Sequence, residues 1–176
     1  MSEKIFVSSQ ELSDLSIELA KKILKSKYIP DAIIGISRGG CVPSIYIHEY
    51  LSFKNIHCIY GIINAKSYNR NNKRETNTDI DISERLLDEI KTCKNILIID
   101  DILDTGYTFM DIGYFLCKNY LKSDQFSFAT VYYKNNNNKT TIIPRFYLIE
   151  TSKWVVFPHE LLGLNNTEII RYKKNI

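Results

Sequence analysis

Ile96–Phe109, ILIIDDILDTGYTF, joins four branched apolar residues, two adjacent carboxylates and a turn of small and hydroxyl residues. A short continuous apolar run of this kind is how a strand buried on both faces reads, which points to a parallel sheet covered by helices. The apolar run stops at Asp100 and Asp101, so the strand is expected to end there with its chemistry at the carboxyl edge. Asp104, Thr105, Gly106, Tyr107 and Thr108 follow in a stretch that can turn backbone N–H groups toward an anion, and the next helix would aim its N-terminus at the same place. If the strand continued, alternation would send the two carboxylates to opposite faces, giving them two jobs, one on Mg²⁺ or ribose hydroxyls and one on loop order. Asp104 is a candidate proton acceptor, with an N-cap as its structural alternative.

Working outward, DAIIGISRGGCVP repeats the pattern of apolar strand (Ala32–Ile36), polar turn and helix (about Pro43–Leu51). Ser37, Arg38, Gly39 and Gly40 form a second anion candidate, because glycine lets backbone approach closely and Arg38 offers a forked donor. Two such turns at strand ends suit a ligand with phosphates at both ends. Ser8 and Glu11 have capping-box spacing, and Leu12, Leu15, Leu19 and Ile23 predict a helix from about residue 9 to 25. Further strands are expected at Ile56–Ile63, Phe126–Tyr133, Ile142–Ile149 and Trp154–Phe157, and helices at Ile82–Ile90 and from Tyr107 to about Leu121. The polar stretch 64–81 reads as a lid loop, and KNNNNK at Lys134–Lys139 as an exposed turn of biased composition. Alternating strands and helices give an α/β class with a mostly parallel twisted sheet.

The 176 residues suit one domain spanning the chain. With 23 basic against 20 acidic residues, a net +3, nothing calls for a nucleic acid or a membrane as partner. Cys41, Cys58, Cys93 and Cys117 form no CxxC pair and read as reduced, buried thiols. His48, His57 and His159 lack metal-ligand spacing, and GxGxxG, Walker and nucleophile-elbow motifs are absent. The start MSEKIFVSSQ has no basic-then-apolar leader, and no run approaches the ~18 apolar residues of a membrane span, so the expectation is a soluble, cytoplasmic protein.

ILIIDDILDTGYT resembles the diphosphoribosyl-binding signature of the type I phosphoribosyltransferases, and IIGISRGG resembles their pyrophosphate loop. WVVFPHE, with Lys134 after the fourth strand, is similar to the purine-binding segments of the hypoxanthine, guanine and xanthine enzymes, the shorter xanthine-guanine type above all. The resemblance implies transfer of a phosphoribosyl group from 5-phosphoribosyl 1-pyrophosphate to a 6-oxopurine, with Mg²⁺, in a type I fold carrying a base-binding hood at about 142–176. It implies that Asp100 and Asp101 face the ribose hydroxyls and metal, and that Asp104 is the general base. Asp104, Thr105, Gly106, Tyr107 and Thr108 would hold the 5′-phosphate. Ser37, Arg38 and Gly39 would hold pyrophosphate, near an expected cis peptide at Ser37–Arg38, with Arg38 neutralising the leaving group. Ser67 and Tyr68 would be the lid pair, Lys134 would read the 6-oxo group, Trp154 would stack on the base and the Val155 backbone would meet its exocyclic position. Glu160 stands where many relatives place an aspartate for a second metal, and Tyr107 replaces a small residue. A homodimer or homotetramer is also implied. The competing readings are the same chemistry on another base, which Lys134 and Trp154 disfavour, and a nucleotide-sensing regulator of the same fold, which the modest charge disfavours.

Overall fold

Branched residues that alternate between two apolar layers decide the architecture. In a strand, successive side chains face opposite ways; Ile33, Leu97, Ile99 and Val131 enter one buried cluster, while Ile34, Ile96 and Ile98 enter another. A computed structural model describes residues 3–67, 78–119 and 121–172. Its strands are β1 (Lys4–Phe6), β2 (Ala32–Ser37), β3 (Ile59–Ser67), β4 (Thr78–Asp81), β5 (Ile96–Leu103), β6 (Phe126–Tyr133), β7 (Phe146–Glu150) and β8 (Trp154–Val156). Its helices are α1 (Ser9–Lys25), α2 (Cys41–Phe53), α3 (Glu84–Ile90), α4 (Tyr107–Asn119) and α5 (Asn166–Tyr172).

Six strands form a sheet in the order β4-β3-β2-β5-β6-β7, parallel except for the β3–β4 pair. Leu12, Leu19 and Ile23 of α1 and Ile47 and Leu51 of α2 cover one face. Leu86 and Leu87 of α3 and Phe109, Ile112 and Leu116 of α4 cover the other. The Ser8 hydroxyl caps α1 by accepting from the Glu11 N–H at 3.1 Å, as the capping-box spacing requires.

Chain order reverses direction across the sheet between β2 and β5, the kind of crevice in which open α/β sheets bind ligands. The two strands pair from Ala32–Ile96 to Gly35–Ile99 and no further. Gly40 folds back into the parting: a Cβ there would lie 2.2 Å from the Ile99 carbonyl oxygen and 2.8 Å from the Ile36 nitrogen. Backbone on both sides cannot yield, so only glycine fits.

Several expectations need correction. Strand β5 does not end at the carboxylates; it runs through Leu103, because β6 continues beside it and pairs with Asp100, Ile102 and Leu103. Both ends of the expected loop 64–81 are strand, with Asn64–Ser67 pairing antiparallel to Thr78–Asp81. Backbone pairing and the packing of Ala65 and Ile80 hold this ribbon, and neither leaves a long apolar pattern. Tyr68 lies outside the described residues, and of Ser67 only the backbone is described. The strand expected at Ile142–Ile149 begins at Phe146, after Pro144, which has no N–H to give a ladder. The expected hood is divided: β7 is an edge strand of the main sheet, while β8 pairs with the unanticipated β1 in a separate two-stranded parallel sheet. Helix α5 was also unanticipated, although Asn165 and Glu168 form a reciprocal capping box, at 2.9 Å in each direction. Cys93 is buried as expected, but Cys117 is exposed and Cys41 and Cys58 are half-buried. No helix of the described residues is long and apolar enough to cross a membrane.

Phe109 is the first inward residue of α4, 2% exposed and stacked on Phe128 with ring centroids 4.4 Å apart. Phe109→Ala is expected to cost about 3–5 kcal/mol, measured as a fall in the urea unfolding midpoint, since a large aromatic leaves a cavity that rigid sheet neighbours cannot close.

Candidate active site

The crevice between the carboxyl ends of β2 and β5 opens into a cleft of about 850 Å³, lined by Ser37, Arg38 and Gly39 on one side and by Asp100, Asp101 and Thr108 on another. Lys66, His159 and Glu160 also line it. A second, smaller hollow of about 220 Å³ lies against Asp104, Thr105 and Gly106, and Asp100, Asp101 and Thr108 border both. The two turns singled out in the sequence therefore face neighbouring hollows that share the carboxylate pair as a common wall.

The first turn follows β2 and carries a cis peptide bond between Ser37 and Arg38. Gly39 passes directly over a carboxylate: a Cβ there would meet the Asp101 Oδ2 at 2.4 Å. The second turn leaves β5 and ends where α4 begins. Gly106 has φ +83°, the left-handed region that glycine adopts without a steric penalty. The first N–H groups of α4 have no partners within the helix, so its N-terminus favours an anion at the turn.

Although β5 continues as strand, both Asp100 and Asp101 line the cleft, because β2 has already parted from this side of the sheet. The Asp100 Oδ1 accepts from the Asp101 N–H at 3.0 Å. Enclosure first, and the Asp101 charge second, hold the Asp100 carboxyl well above the usual carboxylate range. Asp101 is 6% exposed, and its Oδ2 lies 3.2 Å from the His159 Nε2. His159 in turn stacks on Phe157, centroids 5.6 Å apart.

Two enclosed carboxylates beside an anion turn make a hard-oxygen donor set, which fits Mg²⁺ shared with ligand phosphates. Among the described residues no three His, Cys, Asp or Glu side chains gather as a metal cluster. Asp100, Asp101 and Glu160 all line the cleft, and Glu160 accepts at Oε2 from the Phe157 N–H at 3.1 Å, closing its own turn.

Asp104 is partly exposed and ion-paired with Lys134, 2.9 Å between Oδ2 and Nζ. Lys134 follows β6 directly, and its N–H bonds the Leu103 carbonyl at 2.8 Å, so adjacent strand ends bring the two side chains together. The KNNNNK segment is more than an exposed turn of biased composition. It holds a 3-10 turn at Asn135–Asn137, and the Asn137 Nδ2 donates to the Asp104 Oδ1 at 2.5 Å. Asn138 and Thr140 close over Gly106, where a Cβ would lie 2.5 Å from the Asn138 Oδ1 and 2.4 Å from the Thr140 Oγ1.

Trp154 is 41% exposed, with the Lys4 Nζ 4.8 Å from its ring centroid. The Trp154 N–H and the Val156 carbonyl both bond the chain at β1. A strand bonds a given parallel neighbour through alternate residues, so the backbone polar groups of Val155 turn away from β1 while its side chain is buried. Trp154 and Val155 do not line the 850 Å³ cleft.

Sequence reasoning missed Asn137, Asn138 and His159. The first two carried a signal, since asparagine side chains favour structured turns and these follow a strand end already marked by Lys134. His159 carried none, because its partner Asp101 is remote in the chain.

A mostly parallel sheet with two glycine-containing turns about a carboxylate pair at its switch point is an architecture suited to a phosphorylated ligand. The sequence model of the phosphoribosyl transferase domain matches residues 4–161, and the chain belongs to that family. Over 159 residues it is 26% identical to a xanthine-guanine phosphoribosyltransferase of Idiomarina loihiensis, spanning 90% of this chain and 88% of that one. Its fold matches a purine phosphoribosyltransferase from Pyrococcus horikoshii with a TM-score of 0.70, at 24% identity over 93% of this chain and 98% of the other. The xanthine-guanine-hypoxanthine phosphoribosyltransferase of Helicobacter pylori matches with a TM-score of 0.67, at 20% identity over 98% and 100%.

The raised pKa of Asp100 has a stability consequence. As pH rises through the ordinary carboxylate range, the unfolded chain releases this proton while the folded one keeps it, so folding loses free energy until the higher folded pKa is passed. Asp100→Asn removes that loss. Its urea midpoint is expected to exceed the parent's by a margin that opens as pH rises above the ordinary carboxylate pKa of about 4; equal midpoints at that pH and at neutral pH would contradict a raised Asp100 pKa.

Proposed function

We propose that the protein is a 6-oxopurine phosphoribosyltransferase, joining hypoxanthine, guanine or xanthine to 5-phosphoribosyl 1-pyrophosphate and releasing pyrophosphate, in purine salvage in the cytoplasm. The observation that carries this reading is the Lys134–Asp104 pair at the joined ends of β5 and β6, beside a phosphate-type turn. An ammonium and a carboxylate held together match the oxo acceptor and the neighbouring N–H donor of a 6-oxopurine. An uncharged amide pair would not distinguish that edge so well.

In this reading the 5′-phosphate sits against Thr105, Gly106, Tyr107 and Thr108, and pyrophosphate against Ser37, Arg38 and Gly39, with Ser67 and Tyr68 closing over it. Asp100 and Asp101 would hold the ribose hydroxyls and a Mg²⁺ ion, with Glu160 lining the same cleft as a further candidate ligand. When bound, Mg²⁺ offsets negative charge on the phosphates and the departing pyrophosphate. The purine nitrogen forms a bond to ribose C1′ as the C1′–oxygen bond to pyrophosphate breaks, and the purine proton goes to the Asp104 carboxylate. Arg38 stabilises the charge growing on the leaving oxygens. Trp154, whose ring the Lys4 Nζ approaches to 4.8 Å from the centroid, stacks on the base, and the Val155 backbone, turned away from β1, meets the exocyclic position. As a homodimer or homotetramer the protein would cover Ile45 and Phe53, which α2 leaves 49% and 75% exposed.

The test is pyrophosphate release with Mg²⁺ and 5-phosphoribosyl 1-pyrophosphate, supplying hypoxanthine, guanine, xanthine, adenine, uracil and orotate singly. Turnover confined to 6-oxopurines is expected; turnover with adenine, uracil or orotate in their place would refute the assignment. Asp104→Ala is expected to lower kcat by about 10²-fold or more with a smaller change in KM for the purine. Trp154→Ala is expected mainly to raise that KM, by about tenfold, through lost stacking.

A further inference from the structure

Asp104 has two partners, and they differ in kind. Lys134 takes Oδ2 at 2.9 Å, and the Asn137 amide takes Oδ1 at 2.5 Å. Lys134 has an alternative acceptor once a 6-oxopurine is bound. A neutral amide on the opposite carboxylate oxygen has no such reason to leave.

The turn that carries Asn137 is clamped on both sides. The Asn137 and Asn138 N–H groups each donate to the Lys134 carbonyl at 3.0 Å, and the Lys139 N–H donates to the Thr105 carbonyl at 2.9 Å, tying the turn to the phosphate loop. The Asn138 Nδ2 reaches the Ile142 carbonyl at 2.8 Å and the Tyr133 hydroxyl at 3.3 Å. Asn137 is solvent-exposed, yet its backbone is fixed to the two elements that present Asp104 and Lys134. A carboxylate turns readily about its last bond, and a general base works only when the accepting oxygen points at the proton.

We propose that Asn137 is a positioning residue for phosphoryl-ribose transfer: it holds the Asp104 carboxylate by Oδ1, so that Oδ2, once Lys134 moves to the purine oxo group, accepts the purine proton. This rests on the 6-oxopurine reading above. It assigns a role to the one stretch of the chain that composition alone makes look featureless.

The experiment compares the full-length parent, Asn137→Ala, Asn137→Asp, Asp104→Asn and the double variant Asp104→Asn/Asn137→Ala by steady-state pyrophosphate release with the preferred purine. Asn137→Ala is expected to lower kcat about five- to twentyfold, the scale of a hydrogen bond to a charged group, with KM for 5-phosphoribosyl 1-pyrophosphate within about twofold of the parent. Asn137→Asp keeps the shape but replaces the donor with a like charge, and is expected to lower kcat further. In the Asp104→Asn background, Asn137→Ala is expected to change kcat less than about twofold, because the group it positions is gone. An unchanged kcat in Asn137→Ala overturns the proposal, as does an equal loss from Asn137→Ala with and without Asp104. A parent active on 6-oxopurines whose Asp104→Asn variant keeps the parent kcat removes the base and the positioning role with it. A parent inactive on every 6-oxopurine removes the reaction itself and this role too.

Discussion

Everything at the site depends on Gly40 lying against the Ile99 carbonyl where β2 and β5 part. Two parallel strands that stayed paired to their ends would close the crevice with hydrogen bonds. Here the pairing stops at Gly35–Ile99, and the chain after β2 turns back into the gap so tightly that no Cβ is tolerated. That contact sets the height of the Ser37–Gly39 turn relative to the carboxylates of β5. It also places Gly39 so close to Asp101 that the anion turn and the acidic pair form one surface.

The acidic pair shows how such a surface accommodates repulsion. Two carboxylates in sequence repel, and among the described residues they meet a backbone N–H at Asp100 and the His159 imidazole at Asp101, with no lysine or arginine ion pair. A strong cation there would satisfy the carboxylates permanently and compete with a metal. Donors of modest strength leave the pair able to accept a hard cation such as Mg²⁺. The other end of the cleft works by the opposite rule. There Asp104 and Lys134, of opposite charge, satisfy each other.

The parts of the molecule legible in the sequence are those whose cause is local. The apolar run Ile96–Ile99, the cap at Ser8 and the turn at Asp104–Thr108 each carry their own reason for their conformation, and β6 was anticipated over Phe126–Tyr133. The strand-by-strand alternation and the two anion turns were enough to point to a parallel α/β sheet and its crevice. What escaped reading depends on partners far along the chain. The three-residue β1 exists because β8 pairs with it. The ribbon of Asn64–Ser67 with Thr78–Asp81 is held largely by backbone pairing, which no side-chain period reports. Asn137 looked like composition until Asp104, remote in sequence, supplied its acceptor.

The pairing of β1 with β8 has a consequence for how the protein is made. Lys4, which lies over the Trp154 ring, also reaches the Gly163 carbonyl, 159 positions away. A ribosome delivers the Ser37–Gly39 and Asp104–Thr108 turns long before it delivers Trp154, so β1 emerges well ahead of the strand it pairs with. Throughout that interval β1 waits as an unpaired edge. Its length of three residues is a safeguard, since so short an edge offers a neighbouring nascent chain little to pair with.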